Sequence, residues 1–341
     1  MHCHLLIPGL FPPPQWLDAG LLRDLRLPAL ETLLARGKEY PLQDEGMEAW
    51  LCRAFGVEKQ DDWPVAAFTL LADGGSPGSD FWLQAEPVHL QLQRERMVLV
   101  DAANLSISSE EAASLTAALN SHFAQDGLSF FPSRPERWHL RLAHPARLET
   151  RPVEAVIGRN IRNFLPGGPD GGNWHRIINE IQMLLYTHPV NEAREQRGAP
   201  MVNSVWPWGG GVLTGKPSAP YTRIWTDDAL ACGLAAAAEI PRARIPATAA
   251  DWLQTAAPGQ HLVILDMLRQ AALHGDFPRW RETLLRLEAD WFTPLRQVLA
   301  RGKITQLTLH VFSDGKTRTF SVVRADLWNI WHRRKALKNY T

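Results

Sequence analysis

The sequence predicts an α/β protein built on a mostly parallel sheet, with a smaller α/β unit inserted into it. Short apolar runs of strand length alternate with segments of helical periodicity, which is the pattern of strand–helix–strand units. Two loops rich in glycine and proline, DGGSPGSD at 73–80 and LPGGPDGGN at 165–173, break the composition and frame a group of strand-like runs around one helix. At 341 residues the chain exceeds what one hydrophobic core usually supports. The expected organisation is therefore 1–80 as the first part of the core, 81–150 as the inserted unit, and 151–341 as the rest of the core with a basic tail.

His2–Ile7 is an apolar run closed by Pro8-Gly9 and reads as a buried strand. In Leu27–Gly37, Leu30, Leu33 and Leu34 recur at helical spacing, with Pro28 suited to the first turn and Gly37 to the end. A further helix is expected over Asp44–Phe55, and a second apolar strand over Val65–Leu71. Trp82–Leu92 and Met97–Ala102 read as strands joined by a charged turn. Ser108 and Glu111 form a capping box that opens a helix running to about Gln125. Leu128–Phe131 and Arg137–Ala143 complete the inserted unit. Beyond it, Arg223–Thr226 and His261–Met267 read as strands, and Asp227–Ala238 as a small-residue helix. In Arg279–Arg301 the residues Leu284, Leu287, Trp291, Leu295 and Val298 form one apolar stripe. Ile304–Phe312 and Thr317–Val323 pair around Ser313-Asp314-Gly315 as a hairpin.

Lys+Arg and Asp+Glu are equal at 36 each, so no overall field favours nucleic acid or an acidic membrane. Cys3, Cys52 and Cys232 form no C-x-x-C pair and suit a reducing compartment. The first residues, MHCHLLIPGLFPPP, lack the basic start of a signal peptide, and no apolar run reaches the ~18–20 residues of a membrane span. A soluble, cytoplasmic protein is expected. The tail, WHRRKALKNYT, is cation-rich beside Trp328 and Trp331; its ordinary reading is a solvated end, and its other reading a dock for a partner or a phosphate backbone.

The densest polar stretch runs from Trp174 to Gly211. Asn179, Gln182 and Tyr186 share one helix face at three- and four-residue spacing. Pro189 ends that helix, leaving His188 at the break and placing Asn191 and Arg194 together on a second short helix. Trp206 and Trp208 alternate with Pro207 on an extended segment, ahead of the permissive Gly209–Gly211. Two readings stand side by side. His188, Asn191, Arg194, Asn203, Trp206, Trp208 and Gly209 either line a ligand site or staple loops through buried hydrogen bonds.

This stretch, with His188-Pro189-Val190-Asn191, Arg194 and the Asn203-x-x-Trp206-x-Trp208-Gly209-x-Gly211 pattern, resembles one in the archaeal-type cofactor-independent phosphoglycerate mutases of the alkaline phosphatase superfamily. Weaker likenesses lie at Pro28–Gly37, at Pro77-Gly78-Ser79-Asp80 (similar to the nucleophile loop), at Ile107–Leu119, at His274-Gly275-Asp276 and at Glu288–Asp290. Trp82–Leu90 and Phe164–Asp170 resemble segments of the RpfE-type regulatory proteins, a bacterial set related to those mutases. The resemblance implies an alkaline-phosphatase-like core.

It also implies two divalent cations held by Asp and His around a Ser or Thr nucleophile, whose pKa the metals would lower. Here the sequence departs. The first strand ends in Pro8-Gly9 with no carboxylate before Asp18; Gln270 precedes His274 where an Asp is implied; Leu309 precedes His310 where another is implied. Neutral groups cannot balance two dications. The expectation is a non-catalytic, mutase-like regulatory protein with no cofactor, which binds a small anionic metabolite or a protein partner, with nucleic acid and membrane disfavoured. The alternative is a phosphatase or phosphomutase with a rearranged Mn or Zn site using His274, Asp276 and His310, and Ser79 as nucleophile. His2 and His4 share one strand face with Cys3 on the other, which argues against a joint three-ligand site.

Overall fold

A computed structural model describes residues 1–12, 16–17, 20–313, 315–329 and 331–340; Asp18 and Asp314 lie outside them. The described chain divides into two compact units, Met1–Ala54 with Ser218–Thr341, and Phe55–Pro217.

The first unit opens with β1 (His2–Pro8), α1 (Pro28–Arg36), β2 (Lys38–Glu39) and α2 (Met47–Ala54). Residues 55–217 then supply α3 (Val65–Ala72), β3 (Phe81–Gln93), β4 (Arg96–Val100), α4 (Ser109–His122), β5 (Leu128–Arg134), β6 (Arg137–Leu142), α5 (Gly171–Tyr186), α6 (Pro189–Gln196) and β7 (Ser204–Gly211). The chain returns through β8 (Arg223–Trp225), α7 (Ala229–Ala237), β9 (Arg242–Ala243), α8 (Ala249–Thr255), β10 (Gln260–Ile264), α9 (Arg269–Leu273), α10 (Phe277–Leu287) and α11 (Thr293–Ala300). It closes with β11 (Gln306–Ser313) and β12 (Lys316–Val323).

In the first unit, seven strands lie in the order β2-β12-β11-β1-β10-β8-β9. The five from β11 to β9 are parallel, and β12 and β2 add an antiparallel edge. This is the mostly parallel α/β core that the alternation of elements predicts. Cys3, Leu5 and Ile7 of β1 enter a core with Leu307, Leu309 and Val311 of β11 and with Trp280, Leu284, Trp291 and Leu295 of the long C-terminal helix. That helix carries the predicted apolar stripe but is interrupted by a π turn at Glu288–Phe292. The turn places the buried Glu288 carboxylate against α1, where it accepts from the amides of Ala29 (2.6 Å) and Leu30 (3.0 Å). Those amides belong to the first turn of a helix whose own cap position, Leu27, has no side-chain acceptor. Glu288, in the segment that resembles the helix following the family's metal-binding segment, therefore caps a distant helix.

In the second unit an antiparallel sheet runs β4-β3-β6-β5, with β7 also paired to β3. Helices α4 and α5 cover it through Leu115, Leu119, Trp174, Ile177 and Ile181, which form a second core with Leu83, Phe130, Trp138 and Leu140. The predicted capping box is present: Ser108 Oγ accepts from the Glu111 amide (3.2 Å), and the Glu111 carboxylate accepts from the Ser108 amide (2.9 Å). The boundaries expected at 80 and 150 fall instead at 54 and 217. The shift arises because β7 joins the same sheet and the segment at 65–72 packs in the same unit.

That segment is a helix, not the expected strand. Val65–Leu70 are all buried, so there is no alternation to mark a strand, and a short apolar run is ambiguous between the two. Pro64 sits at its start, and the Thr69 hydroxyl donates back to the Ala66 carbonyl at 3.1 Å, a bond only helical spacing allows.

Candidate functional site

The central block folds as its periodicity implies: helix α5, a break at Thr187-His188, helix α6 and strand β7. Its side chains are spent internally. Arg194 is 0% exposed. Its Nε donates to Pro200 O at 2.7 Å, one terminal nitrogen to the Glu111 carboxylate at 2.7 Å, and the other to Leu105 O. Asn191, also 0% exposed, donates to Leu185 O and Val202 O and accepts from the Val202 amide. Asn203 bonds both the amide and the carbonyl of Leu90, fastening the start of β7 to β3. His188 caps α6 by accepting from the Val190 amide (3.2 Å), and burial holds its imidazole below its ordinary pKa.

Trp206 donates to Arg151 O (2.8 Å) and Trp208 to the Glu86 carboxylate (2.7 Å). Gly209 has φ +67, and a Cβ there would lie 2.9 Å from Val65 Cβ, so its permissiveness serves the packing of α3. The seven residues do not share one set of partners: Asn191 and Arg194 bond around α6, whereas Trp206, Trp208 and Gly209 on β7 meet Arg151, Glu86 and Val65. The two at the centre of the expected anion site, Asn191 and Arg194, face no solvent. The staple reading is the one this geometry supports. Burial, which periodicity could not reveal for a polar helix, decides the matter.

Ser79 lies in the same unit, in an exposed turn before β3, and donates to nothing among the described residues. The neighbouring Asp80 carboxylate is 3.7 Å from Arg141. No imidazole or carboxylate is hydrogen-bonded to Ser79 as a base.

In the first unit the carboxyl ends of the parallel strands are where an open α/β sheet ordinarily binds ligands. At the end of β1, Gly9 has φ +76, and a Cβ there would be 3.0 Å from Leu268 O and 3.1 Å from Arg269 Cα. Its carbonyl accepts from Trp280 Nε1 at 2.7 Å. The backbone is wedged where the resemblance implies a carboxylate. Leu309 points into the core and Gln270 is exposed on α9.

His274 and Asp276 are exposed, and Asp276 caps α10 by accepting from the Arg279 amide (3.1 Å). His310 is buried on the sheet, where Trp50 packs on its ring at 4.4 Å between centroids. Among the described residues, no three His, Cys, Asp or Glu side chains converge as a metal-binding group. The proposed set of His274, Asp276 and His310 is thus not assembled, and the residues present do not fit the paired cations that the resemblance implies.

Two groupings escape single-sequence reading because they join distant strands. At the ends of β8 and β10, Arg269 pairs with Glu48 (2.7 Å) and reaches Asp228 at 3.7 Å. Asp228 also caps α7 through the Ala231 amide (2.9 Å). Nearby Asp266 is pushed up from the usual aspartate range by burial and then by Asp228, with Arg269 opposing. Here a fixed guanidinium supplies the positive charge among carboxylates. The second grouping lies on the β1–β11 face: His4 Nδ1 is 3.2 Å from His310 Nε2, and His310 Nδ1 is 3.0 Å from Thr319 Oγ1. Burial, then His2, lowers His4 to about 4, and burial with His4 lowers His310 well below the ordinary value, so both are neutral imidazoles at pH 7.

Comparison with known proteins bears on this arrangement. Residues 79–191 match the family model of 2,3-bisphosphoglycerate-independent phosphoglycerate mutase. The enzyme of that name from Methanosarcina barkeri is 37% identical over 108 residues, 31% of this chain and 27% of that one. Its counterpart from Methanosarcina acetivorans is 35% identical over 206 residues, 56% of this chain and 50% of that one. Part of the chain is thus similar to these mutases. It matches at most about half the length of these curated relatives. The family-model match lies wholly inside the unit Phe55–Pro217, away from the parallel sheet. The PH0037 protein from Pyrococcus horikoshii shares the fold, with a TM-score of 0.53 at 14% identity over 94% of this chain and 87% of that one. The α/β core with a mostly parallel sheet expected from the sequence stands.

Proposed function

We propose that this phosphoglycerate-mutase-like protein is non-catalytic and serves a regulatory role. One observation carries the reading: among the described residues the parallel-strand ends assemble no carboxylate ligand set, with Gly9 jammed against the 268–269 backbone and Glu48 and Asp228 paired to Arg269. Paired metals cannot be balanced by a backbone carbonyl, an amide and a leucine. Without them, Ser79 stays a protonated and poorly nucleophilic hydroxyl at neutral pH. The confinement of the family-model match to residues 79–191 supports the same reading, since the matched span ends at Asn191, a buried side chain bonded to Leu185 and Val202, and includes no strand of the parallel sheet.

The test is a coupled assay for interconversion of 2- and 3-phosphoglycerate across a range of Mn²⁺ and Mg²⁺ concentrations, with elemental analysis of the purified protein. The expected outcome is no turnover and less than stoichiometric metal. Turnover that disappears in Ser79→Ala, together with two bound Mn²⁺ or Zn²⁺ per chain, would establish an enzyme with a rearranged site instead.

A further inference from the structure

The C-terminal segment folds back on α1 and borders an open depression of about 550 Å³ lined by Arg26, Glu31, Arg36, His332, Arg333 and Arg334. This volume falls inside the roughly 300–1,000 Å³ that small-molecule sites occupy. The segment is tied in place at two points: Arg36 donates to Leu327 O, and His332 Nδ1 lies 3.3 Å from Ala35 O. Four guanidinium groups face a single carboxylate there. Among the described residues Arg26, Arg333 and Arg334 form no ion pair within 4.0 Å, Arg334 and Arg26 sharing only the field of Glu31, and the buried Nε of Arg36 has no hydrogen-bond partner. Four arginines around one glutamate leave this depression with an excess of positive charge, which suits an anion of more than one charge. Planar guanidinium forks match phosphate oxygens in pairs.

The aromatic content of the same segment narrows the class. Trp331 directly precedes His332 and is 86% exposed; Trp328 is 75% exposed. Exposed indoles beside clustered arginines offer base-stacking faces next to phosphate contacts.

We propose that this depression binds a nucleoside di- or triphosphate, with the phosphates on Arg26, Arg333 and Arg334 and the base against Trp331. The residues that line it are none of those described at the parallel-strand ends, and the proposal does not depend on whether that region is catalytic.

Calorimetric titration of the full chain at low salt tests it, using ATP, ADP, pyrophosphate and a short single-stranded oligouridylate. Arg26→Gln and Arg334→Gln replace exposed residues and should leave the melting temperature unchanged while weakening ATP about tenfold each. Trp331→Ala should weaken ATP and ADP but leave pyrophosphate unaltered. The proposal fails if neither ATP nor pyrophosphate saturates at millimolar concentration, or if the arginine variants bind ATP as the parent does. Pyrophosphate binding as tightly as ATP, with no effect of Trp331→Ala, would remove the nucleoside from the site and overturn the assignment. Tight binding of the oligouridylate without ATP would replace it with an extended nucleic-acid surface.

Discussion

Arg194 shows how a residue that looks like a ligand-binding group can be wholly structural. Its guanidinium gathers Pro200 O, Glu111 and Leu105 O from three separate segments, with no exposed surface. A lysine has neither the reach nor the planar fork to make these bonds together, and removing one partner of a buried pair typically costs about 3–5 kcal/mol. Arg194→Met and Arg194→Lys should therefore lower the urea midpoint with no ligand present. A variant as stable as the parent would return this residue to the ligand-binding role.

The same staple has a pH signature. Burial pushes Glu111 up, but the Ser108 amide and then Arg197 and Arg194 outweigh it and hold the carboxyl below the usual glutamate range. A depressed acid contributes stability above its unfolded pKa and loses it as pH falls through the folded one. The sequence made the cluster of Asn, His and Arg visible. It could not separate stapling from binding, because both use the same donors and differ only in where the acceptors lie.

At the level of elements, the helix α3 that sequence reading takes for a strand anchors a buried polar chain. The Thr69 hydroxyl reaches the Val65 and Ala66 carbonyls, accepts from Gln84 and lies 3.0 Å from His139 Nε2. His139 Nδ1 lies 2.8 Å from Ser133 Oγ, so both ring nitrogens are engaged by hydroxyls. Burial lowers His139 from 6.5 to about 4, Asp73 and Arg137 acting in opposite directions. The unfolded chain thus binds a proton below 6.5 that the folded chain refuses until about 4. Stability is full above 6.5 and declines as pH falls across that window, by an amount on the order of 3 kcal/mol if the whole shift is realised. Urea unfolding at successive pH values should show this slope, and His139→Gln should flatten it; an unchanged slope would assign the acid sensitivity to His4 and His310.

The packing of α3 on β7 gives a second element-scale test. Gly209→Ala must hold a left-handed φ and bring a Cβ within 2.9 Å of Val65, which should destabilise by about 2 kcal/mol or more. Thermal unfolding would read it, and a Gly209→Ala midpoint equal to the parent's would show that β7 can shift. Elements with plain periodicity, such as the capped helix α4 and the stripe of α10–α11, were legible residue by residue. Val65–Ala72 was not, because eight consecutive residues of mostly apolar character carry no period to read.

For the whole molecule, the alternation of strands and helices was enough to predict a parallel α/β core with an insertion, yet not where the insertion begins and ends. The reason is that β7 is 111 residues beyond the 93 at which β3 ends, and only its pairing register with Trp82–Val88 shows that it belongs to the same sheet. Once that pairing is included, the cores separate cleanly. Every buried apolar residue of the second cluster lies between Phe81 and Val205, and every one of the first lies in residues 1–54 or 218–341. A segment with its own core and no unpaired central strand meets the conditions for independent folding. The fragment 55–217 should therefore give a single cooperative unfolding transition by circular dichroism and by tryptophan fluorescence, with coincident midpoints. The same fragment carrying Arg194→Met should melt at a lower denaturant concentration, as in the full chain. A fragment that unfolds gradually, or that aggregates while the full chain is well folded, would mean that residues outside 55–217 complete its core.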